Sequence, residues 1–248
     1  MAQVGLDFLR EKLPKIKKEY QINLVIANGE NSAEGNGITP YSANFLFDSG
    51  VDVVTTGNHA FSRKEIYEFF DENENIIRPL NYPDKTTPGK GYSVVDLLRY
   101  EVIVLNLMGT MYMDNLSCPF KTIDKIFSQF KEDHIIIVDF HAEATSEKRA
   151  MGFYLDGKIS AIFGTHTHVA TADECILKNG TGYITDVGMT GPIDSVLGIK
   201  PNVIIERLKT KLPVKFETAG GRCKMECVIF RINEQNKKTE AIKRLTVI

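Results

Sequence analysis

The segment Gly164-Thr165-His166-Thr167-His168 closes an apolar run with two histidines one residue apart. Alternate residues of an extended strand point the same way, so this spacing predicts that both imidazoles leave one side of the backbone together. Such a pair suits one metal ion or two adjacent ones. Four of the five histidines, His59, His141, His166 and His168, sit in short glycine- or carboxylate-containing segments directly after apolar, β-branched runs. His134 lacks that setting and reads as structural.

Four segments share the pattern: Asn28-Gly29-Glu30-Asn31, Gly57-Asn58-His59, Phe140-His141-Ala142-Glu143 and Gly164 to His168. In α/β folds the carboxyl ends of strands converge on one crevice, so groups remote in sequence can meet there. Imidazoles with a carboxylate and an amide oxygen suit Mn, Fe or Zn better than Ca or Mg. Each segment alone has a plainer reading. Asn-Gly and Gly-Asn are common turn formers, and a lone buried histidine is more often a satisfied core residue. It is the coincidence of four such segments, each closing a strand, that predicts a metal site. Two ions ~3.5–4 Å apart would share the carboxylate and hold a hydroxide between them.

The elements that must position these groups follow from hydrophobic periodicity. Leu6, Leu9, Leu13, Ile16 and Tyr20 recur at helical spacing, which predicts an amphipathic helix over the first twenty residues with a kink at Pro14. A strand is expected at Ile22–Ala27. The pattern then alternates: a helix over Pro40–Phe47, a strand over Val51–Thr55, a helix over Arg63–Phe70, and strands over Tyr92–Leu97 and Glu101–Leu107. A helix over Ile123–Phe130 precedes the apolar run His134–Phe140. A helix over Ser146–Tyr154 precedes Ile159–Phe163. Such continuous apolar runs read as buried central strands. The last third changes to β-type runs at Tyr183–Val187, Val214–Thr218, Lys224–Ile232 and Thr239–Ile248, with one helix over Asn202–Leu208. A single domain over 1–248 is expected, a layered α/β sandwich of mixed sheets flanked by helices, with a partly antiparallel second sheet. Because a helix of this kind serves as a crossover between parallel strands, a strand upstream of Met1 is also expected.

Bulk properties narrow the function classes. The 248 residues are 43% hydrophobic and 25% charged, with a formal net charge of -2. That balance gives no global attraction to nucleic acid, whose recognition rests on many basic contacts to phosphate. The basic clusters at Lys15–Lys18 and Arg207–Lys211 are interleaved with apolar residues and read as solvated helix faces. No apolar stretch approaches the ~20 residues of a membrane span. The start lacks a signal-peptide profile, so a cytoplasmic protein is expected. Cys118, Cys175, Cys223 and Cys227 form no CxxC pair and read as reduced bystanders.

Together with the Asp139–Lys148 and Ile184–Pro192 blocks, the four segments resemble the YmdB family of calcineurin-like metallophosphoesterases, and the likeness runs over nearly the whole chain. The resemblance implies that Glu30 bridges two divalent transition-metal ions (Fe, Mn or Zn). Asn58, His141 and His166 complete the shell of one ion, and His168 contributes to the other. It further implies that Asn31 lies behind these ligands or touches substrate, and that His59 is the general acid. Members of the family are similar in hydrolysing phosphodiesters, notably 2′,3′-cyclic nucleotides. They begin with an apolar strand ending in a Gly-Asp ligand, whereas this sequence joins the pattern just after it, so a single ion is the alternative cofactor load.

The expected activity is therefore hydrolysis of a small phosphodiester by a metal-bridged hydroxide, with His59 supplying a proton to the leaving alkoxide. Two alternatives stand beside it. One is a catalytically weakened, single-metal regulatory protein that binds nucleotide or a partner. The other is an RNA-processing nuclease, which would need a basic track near the pocket that the composition does not offer. A homo-oligomer is expected from the resemblance; a membrane partner is not.

Overall fold

The computed structural model describes residues 1–83, 86–130 and 134–248. Helix α1 (Ala2–Glu19) opens the chain and buries Leu6, Leu9, Leu13 and Ile16 along one side. It runs through Pro14 as one element, so the expected kink does not divide it. Strand β1 (Ile26–Asn28) follows, then α2 (Pro40–Asp48), β2 (Val53–Thr55), a 3₁₀ turn over Lys64–Ile66 and α3 (Tyr67–Glu72). Helix α2 starts at a capping box: the Thr39 hydroxyl accepts from the Ser42 amide while the Ser42 hydroxyl accepts from the Thr39 amide, and Pro40 presets the first turn.

Strands β3 (Tyr92–Asp96) and β4 (Glu101–Met108) form a hairpin. Helix α4 (Pro119–Phe127), β5 (Ile135–His141), α5 (Thr145–Leu155) and β6 (Ala161–Thr165) continue the alternation. After β7 (Cys175–Ile176) and β8 (Gly182–Ile184), the chain adds β9 (Thr190–Pro192), α6 (Pro201–Thr210), β10 (Cys223–Ile232) and β11 (Thr239–Val247). Six strands make the main sheet in the order β3-β4-β5-β6-β8-β7. Its centre, β4-β5-β6-β8, is parallel, and its edge strands β3 and β7 are antiparallel. Every residue of β4 after Glu101 is buried, as expected of a strand covered on both faces. Ile103, Leu105, Leu107, Ile123, Val138, Met151 and Tyr183 share one core, while Leu6, Leu9, Ile38, Leu46, Val54 and Phe70 share another under α1 and α2.

Among the described residues β1 pairs with β2 alone, in parallel. The three-stranded sheet β11-β10-β9 is antiparallel, and β9 covers β10 only over Cys223–Met225. A cavity of about 720 Å3 is lined by residues of both β1 and β10, with Leu24, Val102, Ile137 and Phe163 contributing apolar walls. Glu30, His141, His166 and His168 line the same cavity.

Several expected boundaries move. Val214–Thr218 forms no strand: the segment follows Pro213, is mostly solvent-exposed, and makes a single bridge from Thr218 to Ile199. Strand β8 stops at Ile184 instead of Val187, because Thr185 and Asp186 turn away into hydrogen bonds with Asp173 and Thr171. The strand expected from Ile22 begins only at Ile26, and β9 pairs with β10 where no strand was expected.

At Gly164, on β6, a Cβ would fall on the carbonyl of Thr185, which leaves no room for a side chain beside the β8 chain. Gly164→Ala is therefore expected to destabilise by about 1–3 kcal/mol or more through overpacking. Gly220→Ala, where an added Cβ meets nothing within 4 Å, serves as the matched control and should stay within about 0.5 kcal/mol of the parent. Thermal or urea unfolding of the two variants checks both values.

Candidate metal centre

The four segments do converge. Asn28 ends β1, Gly57-Asn58-His59 follows β2, His141 ends β5 and His166 follows β6, so all four lie at carboxyl ends of parallel strands. The Nε2 atom of His141 is 2.9 Å from Asn58 Oδ1, 3.0 Å from His166 Nδ1 and 3.1 Å from Glu30 Oε1. One imidazole nitrogen carries either one hydrogen or one lone pair, so it cannot satisfy three such neighbours. Donor atoms about 3 Å apart are the spacing of ligands sharing one ion with bonds of about 2.1 Å. Glu30, His141 and His166 accordingly form a cluster whose donor atoms all lie within 4.8 Å of one another. Gly57 makes this approach possible, since a Cβ there would strike the His141 ring.

The chain delivers the two histidines of the HxH pair differently from the expectation. Strand β6 ends at Thr165, and both His166 and His168 lie beyond it with positive φ, 105° and 62°. Strand alternation therefore does not align them; a tight turn of left-handed residues does. Such a conformation costs on the order of 1–3 kcal/mol per non-glycine residue and persists only where surroundings enforce it. Here the enforcement is a buried ion pair. Lys148 Nζ donates to Thr165 O and to Asp186 Oδ2, each at 2.7 Å, and both side chains are 1% exposed. Asp186 also accepts from the amides of Thr167 at 3.1 Å and Gly188 at 2.9 Å. Glu143 reaches His166 Nε2 at 3.0 Å, which turns Nδ1 of that ring toward His141.

The remaining expected residues surround the cluster. Asn31 Nδ2 donates to Glu30 Oε1 at 3.2 Å and lies 3.4 Å from His168 Nε2. His168 Nδ1 is buried and, among the described residues, has no hydrogen-bond partner, and His168 lines the same cavity as Glu30, His141 and His166. Glu30 Oε2 accepts the backbone N–H of His59 at 3.0 Å, and the His59 ring lies 3.4 Å from both Asn58 Nδ2 and the Ser62 hydroxyl. His134 stands apart, 3.6 Å from Glu101 at the foot of β5. The supporting residues Asp139, Glu143, Lys148, Thr165 and Asp186 all lie in the segments and blocks that carried the resemblance, but the sequence assigned none of them a role. The available signal was charge inside apolar runs: Asp139 is the one ionisable residue between Ile135 and Phe140.

Burial by itself would raise the pKa of Glu30, but the His141 charge, the hydrogen bond to that ring and the His59 amide outweigh it and hold the carboxyl at about 2. Burial, reinforced by the His141 charge, lowers His166 to about 4, and burial lowers His168 as well. These groups thus present an ionised carboxylate and neutral imidazoles, the protonation states that metal ligation requires.

Two outcomes follow. Below pH 6.5, the ordinary value for His166, the unfolded chain takes up a proton that the folded ring refuses until about pH 4. The metal-free protein should lose stability as pH falls through that window, with Glu30 adding to the loss below about pH 4.5. Urea midpoints measured from pH 7.5 to 4 should show this slope, flattened in its upper part by His166→Gln. Lys148→Met leaves Asp186 buried without its partner and should destabilise by about 3–5 kcal/mol, with loss of order at His166–His168 seen by amide exchange.

The sequence profile described as "YmdB-like protein" matches residues 1–245. The chain is similar to the 2′,3′-cyclic-nucleotide 2′-phosphodiesterase of Bacillus subtilis, at 46% identity over 98% of this chain and 92% of that one. Among solved structures, a hypothetical protein from Thermus thermophilus superposes with a TM-score of 0.93 at 40% identity, covering 99% of this chain and 95% of that one. A novel phosphatase of Mycoplasma pneumoniae gives a TM-score of 0.93 at 33% identity over 99% and 89%. A profile match over almost the whole length, a fold shared at that closeness and a site assembled from the same segments that carried the resemblance leave one conclusion: the chain belongs to the YmdB-like family.

Proposed function

We propose that this chain is a metal-dependent phosphodiesterase acting on small phosphodiesters, with 2′,3′-cyclic nucleotides as its substrate class. The observation that carries the reading is the convergence of Glu30, Asn58 and His166 on the Nε2 atom of His141. The name of the Bacillus subtilis relative supports the substrate class. Glu30, Asn58, His141 and His166 would hold one divalent transition-metal ion (Fe, Mn or Zn), and Glu30 with His168 would hold a second. When bound, such ions neutralise phosphoryl oxygens and lower the pKa of an attacking water.

The chain's own residues do the rest. Glu30 is 1% exposed and divides its oxygens, Oε1 toward His141 and Oε2 toward the His59 amide. That amide contact fixes the main chain of His59 beside the cluster, and the residue is half-buried. Held by its main chain beside the cluster but outside the crowded contact at His141 Nε2, His59 is the imidazole placed to protonate the departing alkoxide. Asn31, tied to both Glu30 and His168, holds the second position in register or meets substrate.

The same proposal treats 1–248 as one working domain in the cytoplasm; among the described residues no helix is long and apolar enough to cross a membrane. Self-association of the chain is supported by helix α6, which buries no residue and exposes Ile205 and Leu208. The net charge of -2 favours a small substrate over a nucleic-acid polymer. A second reading, a single-metal regulatory protein, is favoured by one observation: the compact cluster comprises Glu30, His141 and His166 without His168.

Metal content by elemental analysis, together with hydrolysis of bis(p-nitrophenyl) phosphate and of 2′,3′-cyclic nucleotides, separates the two. Two ions and turnover support the phosphodiesterase; one ion and no turnover support the regulatory protein. His59→Ala should lower kcat about 10²–10⁴-fold, the usual worth of general acid–base catalysis, and leave metal content unchanged. Equal loss of both would make His59 a ligand or a folding residue.

A further inference from the structure

Asp139 is fully buried in the middle of the strand ends, yet it touches none of the groups that would meet substrate. Its Oδ1 accepts the Thr165 hydroxyl at 2.7 Å, and its Oδ2 accepts the Thr55 hydroxyl at 2.5 Å and Asn28 Nδ2 at 3.3 Å. Burial pushes this carboxyl up from the usual range, but three donors converging on its two oxygens are the arrangement that the ionised, acceptor-only form satisfies. The consequences run outward through two of these partners. The Thr165 hydroxyl has a single hydrogen, and its oxygen also lies 2.9 Å from His141 Nδ1. With that hydrogen committed to Asp139, the oxygen must accept from His141 Nδ1–H, which leaves Nε2 bare and aimed at Glu30, Asn58 and His166. Asn28 is fixed in the same way: its amide nitrogen serves Asp139 and the Thr56 carbonyl, so its Oδ1 faces the Glu30 amide, from which it accepts at 3.2 Å.

We propose that Asp139 is a positioning residue for the centre: through Thr165 it sets the tautomer and ring orientation of His141, and through Asn28 it fixes the backbone that presents Glu30. The inference rests on the metal-site reading for its consequence, but the relay itself is a property of the metal-free protein. A carboxylate joined to a ligand histidine through an intervening group is a recurrent way to fix which ring nitrogen is free to bind.

The test separates these levels. In metal-free protein labelled with ¹⁵N-histidine at pH 8, His141, assigned by its disappearance in His141→Gln, should carry its proton on Nδ1. Thr165→Val removes the hydroxyl with little change of volume. It should give His141 a mixture of tautomers and weaken Mn(II) or Zn(II) binding about 10–100-fold, whereas Thr165→Ser restores both. Asp139→Asn should act like Thr165→Val. Cobalt(II)-loaded protein should show an altered visible spectrum in both variants and the parent spectrum in Thr165→Ser. A His141 proton on Nε2 in the parent overturns the proposal. So does a Thr165→Val protein with parental tautomer, affinity and spectrum that merely melts earlier. A parent that binds no divalent ion but carries the Nδ1 proton, shifted by Thr165→Val, upholds the relay and sinks the metal reading instead.

Discussion

The crowding of three electron-rich atoms within 3.1 Å of His141 Nε2 is the constraint on which the rest of the structure turns. Without a cation these atoms repel one another, and hydrogen bonding can relieve at most one contact at that nitrogen. Burial makes the conflict worse, because Glu30 and His141 are each 1% exposed and water cannot screen them. A chain that folds into this arrangement is committed to holding positive charge there. Much of what surrounds the cluster can be understood as the scaffold that keeps the donors from relaxing apart.

That scaffold is distributed over elements far apart in sequence. The β1, β2, β5 and β6 strand ends bring the donors together, and Gly57 clears the volume that the His141 ring enters. The left-handed residues at His166 and His168 are held by the Lys148–Asp186 pair, which ties α5, the end of β6 and the loop after β8 into one unit. A buried ion pair contributes little net stability over an apolar substitute, so its presence is better explained by the geometry it enforces. The well-packed parallel centre of the sheet, with β4 and β5 buried almost throughout, supplies the stability against which this local strain is set.

Much of this was legible in the residues. Apolar runs at β4, β5 and β6 identified the buried strands, and Asn58, His59, Glu30, His141, His166 and His168 stood out because each follows such a run. The supporting residues were harder to see, since Asp139 and Thr165 have no local spacing rule linking them and meet through the parallel register of β5 and β6, while Lys148 reaches Thr165 from α5. Backbone geometry was illegible for a related reason. The HxH spacing matched a strand, but the turn at His166 depends on Asp186, twenty residues onward, and on Lys148, which lies on another element. Val214–Thr218 has strand composition yet no partner strand, and a strand without a ladder has nothing to satisfy its backbone groups.

Glu30 shows how positioning and chemistry are divided within one side chain. Its Oε1 belongs to the cluster around His141, while its Oε2 holds not the ring of His59 but the main-chain amide. The backbone of His59 is therefore fixed with the same precision as the donors, and among the described residues its imidazole has the looser 3.4 Å polar contacts to Asn58 and Ser62. A residue that ligates must be immobile, because an ångström of drift empties the site. A residue that passes a proton to a leaving group must instead follow that group as the bond lengthens. Fixing the amide of His59 and leaving its ring loosely tethered is what the proton-passing role proposed for it would need, and it distinguishes His59 from His141, whose two ring nitrogens are both engaged.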